Sequence, residues 1–347
     1  MRTVHLAGVE AHIVFDLDEV RVSAGGTRFA PDVTERETAL LARAMTYKFA
    51  VLERRLGGAK GAVRGDPARK DELMAGYCAE IKPMVDDFTF LTGPDLGTSE
   101  ADFMSLRNPD EPPHVMASVT GGIAFEDLLA GFGVVAAAEA ATGGIANLRV
   151  AIEGMGKVGG GVAREVVRRG AQVVAVSTLE GAVANPHGLD VELMLELRKA
   201  HGDAFVHHVG CDVKPRAALF ASEADIVVPG ARAGAITKEV AGTVTARHVV
   251  PAANVPYTVE GLEVLKHRRV VALADFVCNS AAVLGYMYQA DATPGEVFRD
   301  VDERISRLVE ASAVDPRGPY EGACEIAESY LRTWREPDGM PAGRPLA

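Results

Sequence analysis

The chain has 347 residues, 48% of them apolar and 24% charged, with a formal net charge of −12. That length exceeds what one hydrophobic core usually serves, so two domains are expected. The acidic balance repels phosphate backbones and anionic headgroups, which argues against nucleic-acid and membrane partners. In chain order, HIVFDL and VRVSAG read as short strands, with a hairpin across Asp16 to Glu19. Thr34 and Glu37 form a capping box for a helix that runs through ETALLARAMTYKFAVLERRL and stops at Gly57-Gly58. A second helix covers ARKDELMAGYCAEIKPM, and TGPDLGTSEADF makes a turn leading into another. Residues 106–120 read as loop.

From about Asp127 the texture changes. LLAGFGVVAAAEAATG is a helix of small residues, and residues 148–181 then read strand, glycine turn, helix, strand. DAFVHH, ADIVVPGA, HVVPAAN and VVALADF follow as β-rich runs, which implies a parallel sheet covered on both faces. EVFRDVDERISRLVEASA and GACEIAESYLRTW read as helices, and the Pro- and Gly-rich last dozen residues as a frayed tail. Cys78, Cys211, Cys278 and Cys324 are far apart and form no CxxC, so they read as free thiols of a reducing, cytoplasmic compartment. No secretory signal or membrane-spanning run is evident, and no histidine spacing supports a metal site.

Gly154-Met155-Gly156-Lys157-Val158-Gly159 follows the strand VAI and opens a helix. Glycines there allow a tight turn and close approach of a pyrophosphate, and the helix N-terminus offers N–H groups to it. The next strand ends in Ser177-Thr178 rather than in the acidic residue that grips the ribose of NAD, so NAD and NADP both stay open. Taken alone, Lys48 reads as a solvated helix lysine, Asp95 as a turn former and Lys60 as a cation at a helix C-terminus. A lysine behind Gly57, Gly58 and Ala59 has nothing bulky beside it to hold it from a ligand.

Met45-Thr46-Tyr47-Lys48, followed at twelve residues by Gly57-Gly58-Ala59-Lys60 and then by Gly65-Asp66-Pro67, resembles the glutamate/leucine/phenylalanine/valine dehydrogenase family. The resemblance covers nearly the whole chain, through Gly25-Gly26-Thr27-Arg28, Pro94-Asp95-Leu96-Gly97-Thr98, Asn185-Pro186, Gly188-Leu189-Asp190, Cys211-Asp212, Ala224-Asp225-Ile226, Ala252-Ala253-Asn254, Asp275-Phe276 and Asn279 in order. It implies an NAD- or NADP-dependent amino acid dehydrogenase that interconverts an amino acid with its 2-oxo acid and ammonia. It implies an α/β chain with an N-terminal substrate and oligomerisation domain (residues 1–127, with a C-terminal helix over 316–335 returning to it) and a Rossmann-type dinucleotide domain (128–315). It also implies a homo-oligomer, dimer or higher, with the active site in the cleft between the domains. By the same resemblance Lys48 takes the substrate carboxylate, Lys60 and Asp95 are catalytic, and Asn254 and Asn279 line the nicotinamide and substrate. Arg28 reads as structural. The chemistry agrees: water attack on an imine needs a base with an available neutral form, and burial of a lysine supplies one.

Departures from the family bear on the substrate. Glutamate-specific members carry a lysine where this chain has Ala24, and a serine seven residues after the Asn279 position, where it has Tyr286. A side-chain carboxylate there would be buried without a partner. Ala24, Gly93, Val283 and Tyr286 are therefore expected to line a pocket for an apolar or aromatic side chain. A glutamate dehydrogenase and a dinucleotide-binding regulatory protein without turnover are the alternatives. The latter is suggested by Asn279-Ser280-Ala281-Ala282 in place of the family's NAGG and by Ala130 in place of a threonine near the nicotinamide.

Overall fold

The computed structural model describes residues 1–108, 115–120, 123–289 and 291–347. The chain forms two compact units, one of residues 1–112 and 324–345, the other of residues 113–323 and 346–347.

The first unit contains β1 (Arg2–His5), β2 (Ala11–Phe15), β3 (Ser23–Ala24), β4 (Thr27–Phe29), α1 (Glu35–Val51), β5 (Gly57–Val63), α2 (Lys70–Asp86) and β6 (Phe90–Leu91). The strand order is β1-β2-β5-β3-β6, with β4 also pairing β5. The expected hairpin between the first two strand runs is absent, because β5 lies between β2 and β3, antiparallel to the former and parallel to the latter. Helix α1 starts as expected: the Thr34 hydroxyl accepts the Glu37 N–H at 3.2 Å. The box is only half made, since the Glu37 carboxylate turns to Arg28 instead. The helix ends at Val51 and not at the glycine pair; Glu53 takes the left-handed turn (φ 55°) and Gly57-Gly58 open a strand. On the other side of the sheet, Ile13, Phe15, Ala59, Val63, Tyr77, Ile81, Phe90 and Phe103 form a core under α2.

In the second unit a short hairpin of β7 (Val119–Thr120) and β8 (Ile123–Ala124) leads into α3 (Phe125–Thr142). Then come β9 (Arg149–Glu153), α4 (Lys157–Arg168), β10 (Gln172–Thr178), β11 (Gly181–Ala184), α5 (Val191–His201), β12 (Ile226–Val228), α6 (Lys238–Thr243), β13 (His248–Val249), α7 (Val259–His267), β14 (Val271–Ala272), α8 (Asp275–Cys278), α9 (Ala281–Gly285) and α10 (Pro294–Ala313). The sheet order is β11-β10-β9-β12-β13-β14, parallel except for β11. Strands alternating with helices give this parallel sheet, and its buried strands read as near-continuous Val, Ile and Ala. DAFVHH is not a strand: Gly202–His207 form a 3-10 helix that buries Phe205 and Val206. The final helix, α11, spans Pro319–Leu331.

The tail is not frayed. The Arg43 guanidinium donates to the Gly343 carbonyl at 2.6 Å, and Arg344 pairs with Glu328 at 2.8 Å. A buried cation that needs an acceptor fixes the segment. Of residues 106–120, those at 109–114 lie outside the described residues; Val115–Ala117 is a single 3-10 turn. No helix among the described residues is long and apolar enough to cross a membrane. None of the four cysteines is in a disulfide, and among the described residues no group of three or more His, Cys, Asp or Glu could hold a metal ion.

Candidate active site

In the first unit, Lys60 stands in the middle of β5, not at a helix terminus, and is 3% exposed. The glycines around it make room for backbone. A Cβ on Gly58 would sit 2.1 Å from the Ala42 carbonyl oxygen and 2.3 Å from the Thr46 nitrogen, both in α1, so the helix lies directly on the strand. The Thr46 hydroxyl accepts the Gly58 N–H at 3.0 Å and donates to the buried Asp16 carboxylate at 2.6 Å, which also takes Arg43 at 2.7 Å. Lys48, 4% exposed, lies two residues beyond Thr46, as Lys60 lies two beyond Gly58. The buried joint sets the β5 strand that carries Lys60, and both lysines are buried rather than solvated. Gly58→Ala should cost on the order of 3 kcal/mol in denaturant unfolding, because the α1 backbone leaves the methyl no space.

Alternation along β5 puts Lys60 on the same face as Gly58. Its Nζ lies 3.1 Å from Oδ1 of Asp95, which follows β6 in the Pro94-Asp95 turn. The Thr98 hydroxyl fixes that turn, accepting the Asp95 N–H at 2.8 Å and donating to the Thr27 carbonyl at 2.9 Å. Arg28, from β4, donates its Nε to Oδ2 of Asp95 at 3.0 Å and pairs through Nη1 with Glu37. Burial alone would raise the Asp95 carboxyl, but Lys60 and Arg28 more than reverse this and hold it at about 2. Burial lowers Lys60 below the usual lysine range, an effect that Arg28 reinforces and Asp95 and Glu37 oppose. The neutral amine is thus more accessible than on a surface lysine, and its neighbour is an anion at every working pH.

Ala24 pairs with Leu91 on one side and Gly58 on the other, and Gly25 donates to the Leu91 carbonyl at 3.0 Å. Ala24, Leu91 and Gly93 share the Lys60 face, whereas Phe90 and Thr92 face α2. Leu91, 37% exposed, is an apolar member of this surface that the sequence did not single out. Arg107 stands at its end: its Nη2 lies 3.9 Å from the point a Cβ on Gly93 would take, and its guanidinium pairs with Glu100 at 3.0 Å.

In the second unit the three motif glycines separate by role. Gly154 has φ 84°, a left-handed turn that favours glycine. A Cβ on Gly159 would lie 1.9 Å from the Gly154 carbonyl oxygen, so the third glycine lets helix α4 close on the loop. A Cβ on Gly156 would meet nothing within 4 Å. The middle position, exposed at the start of α4 beside exposed Lys157, is open ground for a phosphate, with Met155 buried beneath it and Val158 half-buried. These residues fit a dinucleotide pyrophosphate. The strand end differs from expectation. Ser177 is fully buried, and Thr178, 5% exposed, donates its hydroxyl to the Asp203 carbonyl at 2.8 Å. Both hydroxyls turn inward, while Leu179 and Glu180 are exposed there. Glu153, just before the loop, is a buried carboxyl raised by burial and opposed by the Ala231 N–H.

Asn279 donates Nδ2 to the Asn254 side-chain oxygen at 3.0 Å and to the Ala252 carbonyl at 3.1 Å. Directly after Asn254, Val255 has φ 51°, an outlier for a β-branched residue, and its N–H is held by the buried Asp275 carboxylate at 2.8 Å. Asp275 was known from the sequence only as a position in the ordered match; its partner shows what it does. Ser280 is buried and donates to the Val277 carbonyl at 2.8 Å. The Ala281 methyl sits where a Cβ on Gly133 of α3 would come within 2.4 Å of it, so a glycine across the interface makes room for the added carbon. Ala130 of α3 is buried. Val283 is half-buried in α9 and Tyr286, 44% exposed, follows its end.

Residues 121–293 match the model of the Glutamate/Leucine/Phenylalanine/Valine dehydrogenase family, and residues 5–108 match that of the Glu/Leu/Phe/Val dehydrogenase dimerisation domain. Similar proteins include a glutamate dehydrogenase of Thermotoga maritima, 30% identical over 325 residues that cover 88% of this chain and 77% of the relative. An NADP-specific glutamate dehydrogenase of Saccharolobus shibatae is 29% identical, covering 83% of this chain and 73% of its own. An NAD-specific glutamate dehydrogenase of Staphylococcus aureus is also 29% identical, over 85% and 76%. The crystal structure of a hetero-hexameric glutamate dehydrogenase from Thermus thermophilus superposes with a TM-score of 0.81 at 28% identity, covering 95% of this chain and 85% of that one. With both units matched and the glycine loop built for a dinucleotide, the chain belongs to the glutamate/leucine/phenylalanine/valine dehydrogenase family and is an NAD(P)-dependent amino acid dehydrogenase.

Proposed function

We propose that the protein catalyses the reversible oxidative deamination of an L-amino acid with an apolar or aromatic side chain to its 2-oxo acid and ammonia. The observation that carries the reaction is the buried Lys60–Asp95 pair, a proton-accepting amine beside a permanent carboxylate. A nicotinamide dinucleotide held by Gly154 to Gly159 would supply the acceptor for the hydride of the substrate Cα. The Lys48 ammonium pairs with the substrate carboxylate. Once the substrate nitrogen is an iminium, the Asp95 carboxylate stabilises its charge and exchanges protons with the nitrogen, while neutral Lys60 takes the proton of the attacking water. Asn254 and Asn279 line the nicotinamide side of the site, and Gly154 to Gly159 hold the pyrophosphate.

The apolar specificity is supported by Ala24 beside Leu91, where no cation projects from the strand, and by Tyr286 in place of a small hydroxyl. A second reading, glutamate dehydrogenase, is favoured by the names of the relatives and by Arg107 beside Gly93, a cation within reach of a side-chain carboxylate. Reductive amination of a panel of 2-oxo acids, followed through nicotinamide absorbance with NADH and NADPH, separates the two. The first reading expects aliphatic or aromatic oxo acids to exceed 2-oxoglutarate in kcat/KM, and Arg107→Ala to leave them within about threefold. Preference for 2-oxoglutarate, lost tenfold or more in Arg107→Ala (about 1.4 kcal/mol), would establish the second. The matched dimerisation domain supports a homo-oligomer, dimer or higher, to be measured by light scattering. The four cysteines form no disulfide, which fits the reducing cytoplasm.

A further inference from the structure

We propose that Arg28 and Glu37 are a positioning pair for the catalytic carboxylate: Glu37 holds the Arg28 guanidinium, and the guanidinium holds one oxygen of Asp95 so that the other faces Lys60. The proposal rests on the reading of Lys60 as the base.

Four charges alternate along one line that runs from half-exposed Glu37 to buried Lys60. Glu37, in the first turn of α1, pairs with Nη1 of Arg28. Arg28 of β4 gives Nε to Oδ2 of Asp95 at 3.0 Å, and Lys60 of β5 faces Oδ1 at 3.1 Å. The side chains of Arg28, Asp95 and Lys60 are 12%, 15% and 4% exposed, so solvent screens them little. Each carboxylate oxygen has one cation, which fixes the plane of the carboxyl as well as its charge. Gly26 completes the fit: a Cβ there would lie 2.5 Å from the Pro94 carbonyl oxygen and 3.1 Å from the Asp95 Cβ, so the turn presses against the chain just before Arg28. Protonated Lys60 makes the line neutral, and loss of its proton leaves one net negative charge. A role confined to stability would need the cation between its two carboxylates but would leave the protonation of Lys60 out of account. The positioning role includes it, because Arg28 repels a proton on Lys60 and Glu37 attracts one.

The two removals therefore move the base in opposite directions. Without the Arg28 cation, Lys60 holds its proton more firmly, and the acid limb of the kcat/KM profile for oxidative deamination moves to higher pH. Without the Glu37 anion, the limb moves to lower pH. The test measures this profile for wild type, Arg28→Met, Arg28→Lys and Glu37→Gln. Shifts of about half to one pH unit are expected, upward in Arg28→Met and downward in Glu37→Gln, with Arg28→Lys restored toward wild type because its charge survives. Limbs that stay in place, or that move the same way in both removals, overturn the proposal. If Arg28→Met does not fold, Glu37→Gln decides alone, since an unmoved limb there is sufficient to reject it. Lys60→Ala keeps the two ideas apart. Turnover surviving in that variant rejects the base itself. Turnover lost there, with limbs unmoved in the other variants, rejects only the positioning pair.

Discussion

Lys60→Ala is expected to reduce turnover about a thousandfold or more while leaving cofactor affinity unchanged, because a positioned general base contributes on that order and the dinucleotide loop lies in the other unit. Equilibrium binding of NADH or NADPH beside steady-state kinetics reads both quantities. The pH dependence gives a second signature. Burial depresses Lys60 in the folded protein, so its neutral form grows in as pH rises through that lowered value. Wild-type kcat/KM for deamination should rise along this limb, and the residual activity of Lys60→Ala should lack it. Asp95, held at about 2, stays ionised across the range and contributes no limb of its own. Rates within a few fold of wild type would remove Lys60 from the reaction.

Gly156→Val is expected to abolish cofactor binding without disturbing the fold. The side chain would enter space that is open to 4 Å around the glycine and that a pyrophosphate would fill. A dissociation constant raised about a hundredfold corresponds to about 2.7 kcal/mol, a moderate loss for a phosphate site blocked by three carbons. Thermal unfolding in the absence of nucleotide should stay within a degree or two of wild type. Gly159→Val makes the contrast, because its side chain would collide with the Gly154 carbonyl oxygen and should lower the unfolding temperature as well as binding. Equal affinity in Gly156→Val and wild type would place the pyrophosphate elsewhere.

These two sites were legible in the sequence to different degrees, for physical reasons. The glycine loop is local: turn, approach and closure are met by six consecutive residues, so Gly154, Gly156 and Gly159 could be read where they stand. Lys60 was not legible in that way. Its environment comes from β2, β4 and α1, and locally it looked like a cation at a helix end. Only the ordered resemblance marked it. The end of α1 was misread because Glu53 adopts a left-handed conformation that its residue type disfavours, leaving the glycine pair free to serve strand packing. Arg28 read as structural because nothing in Gly-Gly-Thr-Arg shows what its guanidinium reaches. Ser177 and Thr178 end the strand where a ribose contact is expected, and only the fold shows that the Thr178 hydroxyl donates to the Asp203 carbonyl. Gly133 and Ala281, far apart in sequence, could not be paired without the fold.

The joint between α1 and the strand of Lys60 bears on how the protein is made. Arg43 completes its hydrogen bonding on Gly343, a carbonyl 300 positions downstream, and the Tyr47 hydroxyl reaches Glu328 at 3.0 Å. While a nascent chain is leaving the ribosome, residues 113–323 of the nucleotide-binding unit are translated before these acceptors. The lysine-bearing unit must wait with a half-satisfied guanidinium under its first helix. Ribosome-stalled chains ending near residue 320 should therefore protect the glycine loop from protease while α1 is still cleaved.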